Sequence, residues 1–110
     1  MLNKILIFLL SVLPIVKFKV EGKSMEPYCY SGDTVLVNKI AYFFTKPKIN
    51  DVIAIESSKD KRYIIKVIKK IKAEEYFVLG FSLKESTDSR VFGWISKKDI
   101  IGKVIKIPSY

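Results

Sequence analysis

The sequence predicts a mostly β fold, a small barrel or sandwich core preceded by a short N-terminal hydrophobic helix. Three observations lead there. Several short segments alternate apolar and polar residues with a period of two, as in Val16-Lys17-Phe18-Lys19-Val20. Turn-forming clusters such as Ser31-Gly32-Asp33 and Lys46-Pro47-Lys48-Ile49-Asn50-Asp51 separate them. At 110 residues the chain is long enough for one core and too short for two. Without repeats or a low-complexity linker, the expected organisation is a hydrophobic anchor at residues 1–13 and one folded domain at residues 14–110.

The anchor is expected from Lys4 followed by the apolar run Ile5-Leu6-Ile7-Phe8-Leu9-Leu10-Ser11-Val12-Leu13, which Pro14 interrupts. The run is shorter than the ~20 apolar residues of a spanning helix. No small-x-small site follows, which disfavours a cleaved leader. The run therefore reads either as a plain core helix or as an anchor that lies in the interface or spans with lysine snorkelling, and the anchor is the expectation taken. Lysines stand on both sides of it, Lys4 before and Lys17, Lys19 and Lys23 after, so charge gives no vote on topology.

The remaining elements follow in order. Val16, Phe18 and Val20 point one way and Lys17 and Lys19 the other, a half-buried strand that delivers the chain to Gly22-Lys23-Ser24-Met25-Glu26-Pro27. Thr34-Val35-Leu36-Val37-Asn38 is a second strand. The apolar and aromatic segment Ile40-Ala41-Tyr42-Phe43-Phe44 either links strands over the core or makes further membrane contact. Val52-Ile53-Ala54-Ile55 is a third strand, residues 57–61 a hairpin loop, and residues 62–72 a longer strand. Residues 73–75 form a turn, Tyr76-Phe77-Val78-Leu79 a short strand, and Gly80 opens a loop to Gly93. Turn and terminal strand close the chain.

Composition limits the chemistry. The chain has no histidine, which excludes a Ser-His-Asp triad, a Cys-His pair and most zinc sites. No metal and no cofactor is expected. The net charge of +9 comes almost wholly from lysine, Arg62 and Arg90 being the two arginines. Proteins that fork phosphates or read bases favour arginine, so an anionic membrane surface is a better expected partner than nucleic acid. The single cysteine, Cys29, cannot form an internal disulfide.

A serine between a glycine and a proline, Ser24, is either a turn residue or a nucleophile. As a nucleophile it needs a base other than histidine, and a lysine serves only if burial lowers its pKa toward neutrality. Lys66 is the candidate, because Ile64, Ile65, Val67 and Ile68 flank it on both sides. The alternative is that Lys66 alternates outward on an amphipathic strand. Lys69, Lys70 and Lys72 stand at the polar end of the same segment. Ser86-Thr87-Asp88-Ser89-Arg90 offers a hydroxyl to orient a neutral lysine and an acid–base pair to brace the loop.

Four stretches in this order resemble the type I signal peptidase family, serine proteases with a Ser/Lys dyad: Glu21-Gly22-Lys23-Ser24-Met25-Glu26-Pro27, Gly32-Asp33-Thr34-Val35-Leu36-Val37, Tyr63-Ile64-Ile65-Lys66-Val67-Ile68, and residues 80–90 with Phe92-Gly93. The tail Ile100-Ile101-Gly102-Lys103-Val104 fits as well. The resemblance implies a signal-peptidase-like catalytic domain and a serine endopeptidase that cleaves signal peptides from exported precursors after small residues. It implies Ser24 as nucleophile, Lys66 as general base, the Ser24 backbone amide as oxyanion donor, Ser86 on the lysine, and Asp88 with Arg90 bracing the site. Met25 and Pro27, beside the nucleophile, are expected at the substrate pocket. The expected partners are a precursor polypeptide and membrane lipid, with no nucleic acid. The expected location is the membrane, with the site on the extracytoplasmic side.

The pattern departs from the family in places. Val67 follows the lysine where an arginine is usual, Phe81 and Ser82 replace an acid and an amide after Gly80, and Gly22 replaces a hydroxyl residue that adds an oxyanion donor in some relatives. The stretch from Lys66 to Gly80 is short, where larger signal peptidases insert an extra β domain. That compactness is also similar to the nickel-type superoxide dismutase maturation proteases. Two other functions therefore stand beside the first: a dedicated precursor maturation protease, and a non-catalytic basic β module that binds anionic lipid.

Overall fold

The structure is a computed structural model that describes Lys4, residues 15–56 and residues 63–106. The anchor and short helix expected at residues 1–13 lie outside the described residues apart from Lys4, and the hairpin loop expected at residues 57–61 lies wholly outside them. Among the described residues no helix is long and apolar enough to cross a membrane.

The mostly β expectation holds. Seven strands, β1 (Ile15–Lys19), β2 (Thr34–Asn38), β3 (Val52–Glu56), β4 (Tyr63–Lys72), β5 (Glu75–Leu79), β6 (Ile95–Ser96) and β7 (Ile100–Lys106), form one sheet in the order β1-β2-β7-β3-β4-β5-β6. Every pairing is antiparallel. The sheet curls into a half-barrel rather than closing or stacking on a second sheet. Its curl is visible in one contact: Phe18 of β1 stacks on Tyr63 of β4 at 6.0 Å, although three strands separate them in the sheet.

Alternation along each strand divides the apolar residues between two cores. One gathers Val20, Met25, Cys29, Val35, Val37, Ala54, Ile65 and Val104, and the other Tyr42, Ile53, Ile55, Ile68, Tyr76, Val78 and Ile95. The strand pattern that left Lys66 ambiguous now has a physical meaning. Ile65, Lys66, Val67 and Ile68 are all buried, so the middle of β4 is covered on both faces, while Lys69, Lys70 and Lys72 are exposed.

Residues 41–44, read as strand-linking or membrane-facing, fold as a single helical turn, α1 (Ala41–Phe44). Asn38 starts it by accepting from the Ile40 amide at 3.0 Å, a local side-chain bond that competes with strand pairing. Tyr42 then turns inward and donates its hydroxyl to Asp51 at 2.7 Å. Burial first, then that bond to a carboxylate, push the Tyr42 pKa up. The loop after Gly80 contains a 3-10 turn at Leu83–Glu85 and a second helical turn, α2 (Ser89–Phe92). Asp88 caps α2 by accepting from the Arg90 amide at 3.1 Å.

Candidate active site

The loop that carries Ser24 joins β1 to β2. Its mouth continues their ladder: the Val20 amide donates to the Asp33 carbonyl at 2.8 Å, and the Gly32 amide to the Val20 carbonyl at 2.8 Å. Gly22 takes a positive φ of 82°, a conformation that glycine adopts without steric cost. A helical bend follows, in which the Cys29 amide donates to the Met25 carbonyl at 3.1 Å. That spacing places Met25 and Cys29 one turn apart, and both insert into the first core, at 2 % and 0 % exposure. Burying a side chain of Met25's size stabilises by about 1.5–3 kcal/mol, which pins the loop one residue from Ser24. Ser24 itself is half-buried, and Pro27 is exposed.

Lys66 sits mid-strand in β4, paired with Ile53 of β3, and is 3 % exposed. Burial pushes its pKa below the ordinary lysine value of 10.5; the Asp88 carboxylate opposes this, and the Arg90 guanidinium adds to it. The amine is satisfied, since Lys66 Nζ donates to Ser86 Oγ at 2.9 Å. The reading in which Lys66 alternates outward does not hold.

Asp88 organises the other side of this bond. Its side chain is fully buried, and it accepts from Ser86 Oγ at 2.7 Å, the Gly80 amide at 3.1 Å, Arg90 Nε at 2.8 Å and the second Arg90 guanidinium nitrogen at 3.0 Å. Burial alone would raise the Asp88 pKa. The Arg90 side chain, the Ser86 hydroxyl and the backbone amides of Gly80 and Arg90 outweigh it and hold the carboxyl well below the usual range. Arg90 is itself tied down, donating to the Leu83 carbonyl at 2.7 Å.

Proton counting fixes the direction of the relay. An ionised Asp88 only accepts, so the single Ser86 proton goes to Asp88. Towards Lys66, Ser86 then has lone pairs alone, and Lys66 must donate. A neutral amine that donates there keeps its own lone pair for a further proton. Lys66, Ser86, Asp88 and Arg90 thus form one hydrogen-bonded series with the lysine amine at its end.

Gly80 connects this series to the loop that carries Ser24. Val67 pairs with Leu79, so the same register carried one residue on puts Gly80 across from Lys66. A Cβ at Gly80 would lie 2.5 Å from the Ser24 carbonyl oxygen and would collide with the Ser86 side chain. The Ser82 amide donates to that same Ser24 carbonyl at 2.8 Å. Phe81, between these two residues, stacks on Tyr28 of the nucleophile loop with ring centroids 5.5 Å apart. Of the residues singled out in the sequence, Lys66, Ser86, Asp88 and Arg90 are bonded in one series, whereas Gly80, Tyr28, Phe81 and Ser82 were not read as the parts that join the two loops. An isolated glycine at a strand end is the one local signal of such a close approach. Among the described residues no group of three or more His, Cys, Asp or Glu side chains is gathered as a metal site.

The sequence matches the family model described as signal peptidase, peptidase S26, over residues 1–71 and 65–108. The chain belongs to the signal peptidase family. Membership indicates a peptidase, a hydrolase of the signal peptidase kind. A comparison with curated proteins gave no significant match. In this signal peptidase family member Ala73 and Glu74, both at positive φ, join β4 to β5 in a tight hairpin, so no further domain is inserted between Lys66 and Gly80.

Proposed function

We propose that this chain is a serine endopeptidase with a Ser24/Lys66 dyad that removes signal peptides from exported precursors, cutting after small residues. The observation that carries the reading is the buried Lys66 amine, hydrogen-bonded to a Ser86 hydroxyl whose proton is committed to Asp88.

In the mechanism, Ser24 Oγ attacks the scissile carbonyl carbon while the Lys66 lone pair takes the hydroxyl proton. The carbonyl oxygen becomes an oxyanion and is held by the Ser24 backbone amide. Gly22 brings no side-chain donor to that position. Lys66, now an ammonium, returns the proton to the leaving amine as the tetrahedral intermediate collapses to an acyl-enzyme. Water, deprotonated by the again neutral Lys66, then releases the acyl group and restores Ser24. Desolvation suits Lys66 to this cycle, because it lowers the cost of the neutral form from which acylation and deacylation each start.

The expected substrates are membrane-delivered precursor polypeptides, with residues 1–13 as the anchor and the site on the extracytoplasmic side. A second reading has one observation in its favour: the tight β4–β5 hairpin leaves a bare catalytic core, which suits a dedicated maturation protease with a single precursor. The test is cleavage of an exported precursor with a small-x-small site, in lipid, by wild type beside Ser24→Ala and Lys66→Ala. Cleavage by wild type that both substitutions abolish supports the first reading; a folded, lipid-bound wild type that leaves this precursor intact refutes it.

A further inference from the structure

The α1 turn displays two aromatic side chains with no core to cover. Phe43 and Phe44 are 80 % and 81 % exposed, while Tyr42 between them and the sheet is buried and tethered to Asp51. The turn is thus held rigidly while its two phenyl rings face outward. Ile49, a few residues on, is also exposed. Lysines bracket this apolar tip: Lys39 before it, Lys46 and Lys48 after it, all exposed.

Beside the tip lies a cleft of about 580 Å³ with Lys46, Lys97 and Lys98 on its walls, together with Tyr76, Ser96 and a single carboxylate, Glu74. Three lysines against one acid give the cleft a net positive lining. Lys46 and Pro47 belong both to the cleft and to the segment leaving α1, so the cleft and the aromatic tip are continuous.

The strand register adds direction. Ile15, the first residue after the apolar run and Pro14, pairs with Asn38, the last residue of β2, which leads directly into α1. The chain therefore leaves its most apolar segment at the same end of the sheet where Phe43 and Phe44 emerge. An apolar tip flanked by lysines, at the end of the sheet where Ile15 enters it, matches the layering of a bilayer surface, where aromatic rings sit at headgroup level and lysines reach anionic phosphates.

We propose that α1 and the lysine-walled cleft beside it form a docking surface for an anionic phospholipid bilayer. Phe43 and Phe44 enter the interface, and Lys46, Lys97 and Lys98 take the headgroup phosphates. This contact is separate from attachment through residues 1–13 and does not depend on the chemistry at Ser24.

The test uses the full chain with Phe44→Trp in a Trp94→Phe background, so that the indole at position 44 is the only one. Vesicles contain equal parts phosphatidylglycerol and phosphatidylcholine, with and without brominated acyl chains, and sedimentation shows that the protein is bound. The expected result is a blue-shifted emission that brominated lipid quenches by about half. Adding Lys46→Gln, Lys97→Gln and Lys98→Gln is expected to weaken partition about tenfold at low salt, with little effect at high salt. Bound protein whose indole emits as in water and is not quenched overturns the docking surface while leaving attachment by residues 1–13 intact. Equal quenching on phosphatidylcholine alone, insensitive to the lysine substitutions, overturns the anionic headgroup site. Cleavage activity plays no part in any of these readouts, so a failure here is distinct from a failure of the protease reading.

Discussion

Lys66 Nζ lies 2.9 Å from Ser86 Oγ, and the Ser86 proton is directed to Asp88 at 2.7 Å. The lysine is thereby the donor in its only side-chain bond to this loop among the described contacts. The Asp88 charge, fixed by Arg90, sets that direction from two residues away.

Ser86→Ala removes the acceptor that aims the amine. The expected effect is a fall in kcat of about 10- to 100-fold with KM little changed, because this hydroxyl is already engaged by Lys66 and Asp88. Ser86→Thr, which keeps the hydroxyl, is expected to recover part of the loss. Steady-state cleavage kinetics of the three proteins check it.

Lys66→Met is expected to stabilise the fold while abolishing cleavage. The folded-state pKa of Lys66 lies below its unfolded value, so the unfolded chain binds the extra proton between the two. Wild-type stability from this group therefore rises as pH climbs through the folded pKa toward 10.5, and the penalty is fully present below it. Denaturant titrations are expected to show Lys66→Met ahead by about 1–3 kcal/mol at neutral pH, with the gap closing as pH rises.

Gly80→Ala tests the joint between the two loops. The new Cβ meets the Ser24 carbonyl, a backbone atom that cannot swing aside, as well as Ser86. A loss of about 1–3 kcal/mol in stability is expected, with a fall in kcat of at least about tenfold. Thermal unfolding and cleavage assays read the two effects separately.

Phe81→Ala removes the ring that stacks on Tyr28 and over which Lys69 Nζ lies at 5.8 Å. A double-mutant cycle with Tyr28→Ala is expected to give a coupling of about 0.5–1.5 kcal/mol. Phe81→Tyr, which keeps the ring, is expected to retain activity, although the family pattern has an acid here.

Much of this was legible in the residues themselves. Alternation marked β1 and β2, a short apolar run marked β3, and the apolar neighbours of Lys66 on both sides marked the doubly covered part of β4. The Ser86–Asp88–Arg90 constellation was legible because it is local, within five residues and one helical turn. What escaped depends on contacts distant in sequence. Residues 41–44 read as apolar linker because the Tyr42 hydroxyl bond to Asp51, which turns one aromatic inward and leaves two outside, has no local signature. The same holds for Ser82 on Ser24 and Phe81 on Tyr28, where two loops more than fifty residues apart meet across Gly80. The burial of Met25 in the first core likewise follows from the bend that pairs it with Cys29.

The central proposal is that burial lowers the Lys66 pKa and so suits the amine to act as base for Ser24. An NMR titration of the lysine Nζ resonances in wild type, with the Lys66 signal assigned by its loss in Lys66→Met, tests it most directly. The account predicts a Lys66 midpoint clearly below the ordinary 10.5, apart from the exposed lysines. A midpoint at or above 10.5 would mean that the Asp88 charge outweighs burial, and Lys66 could not serve Ser24 as its base.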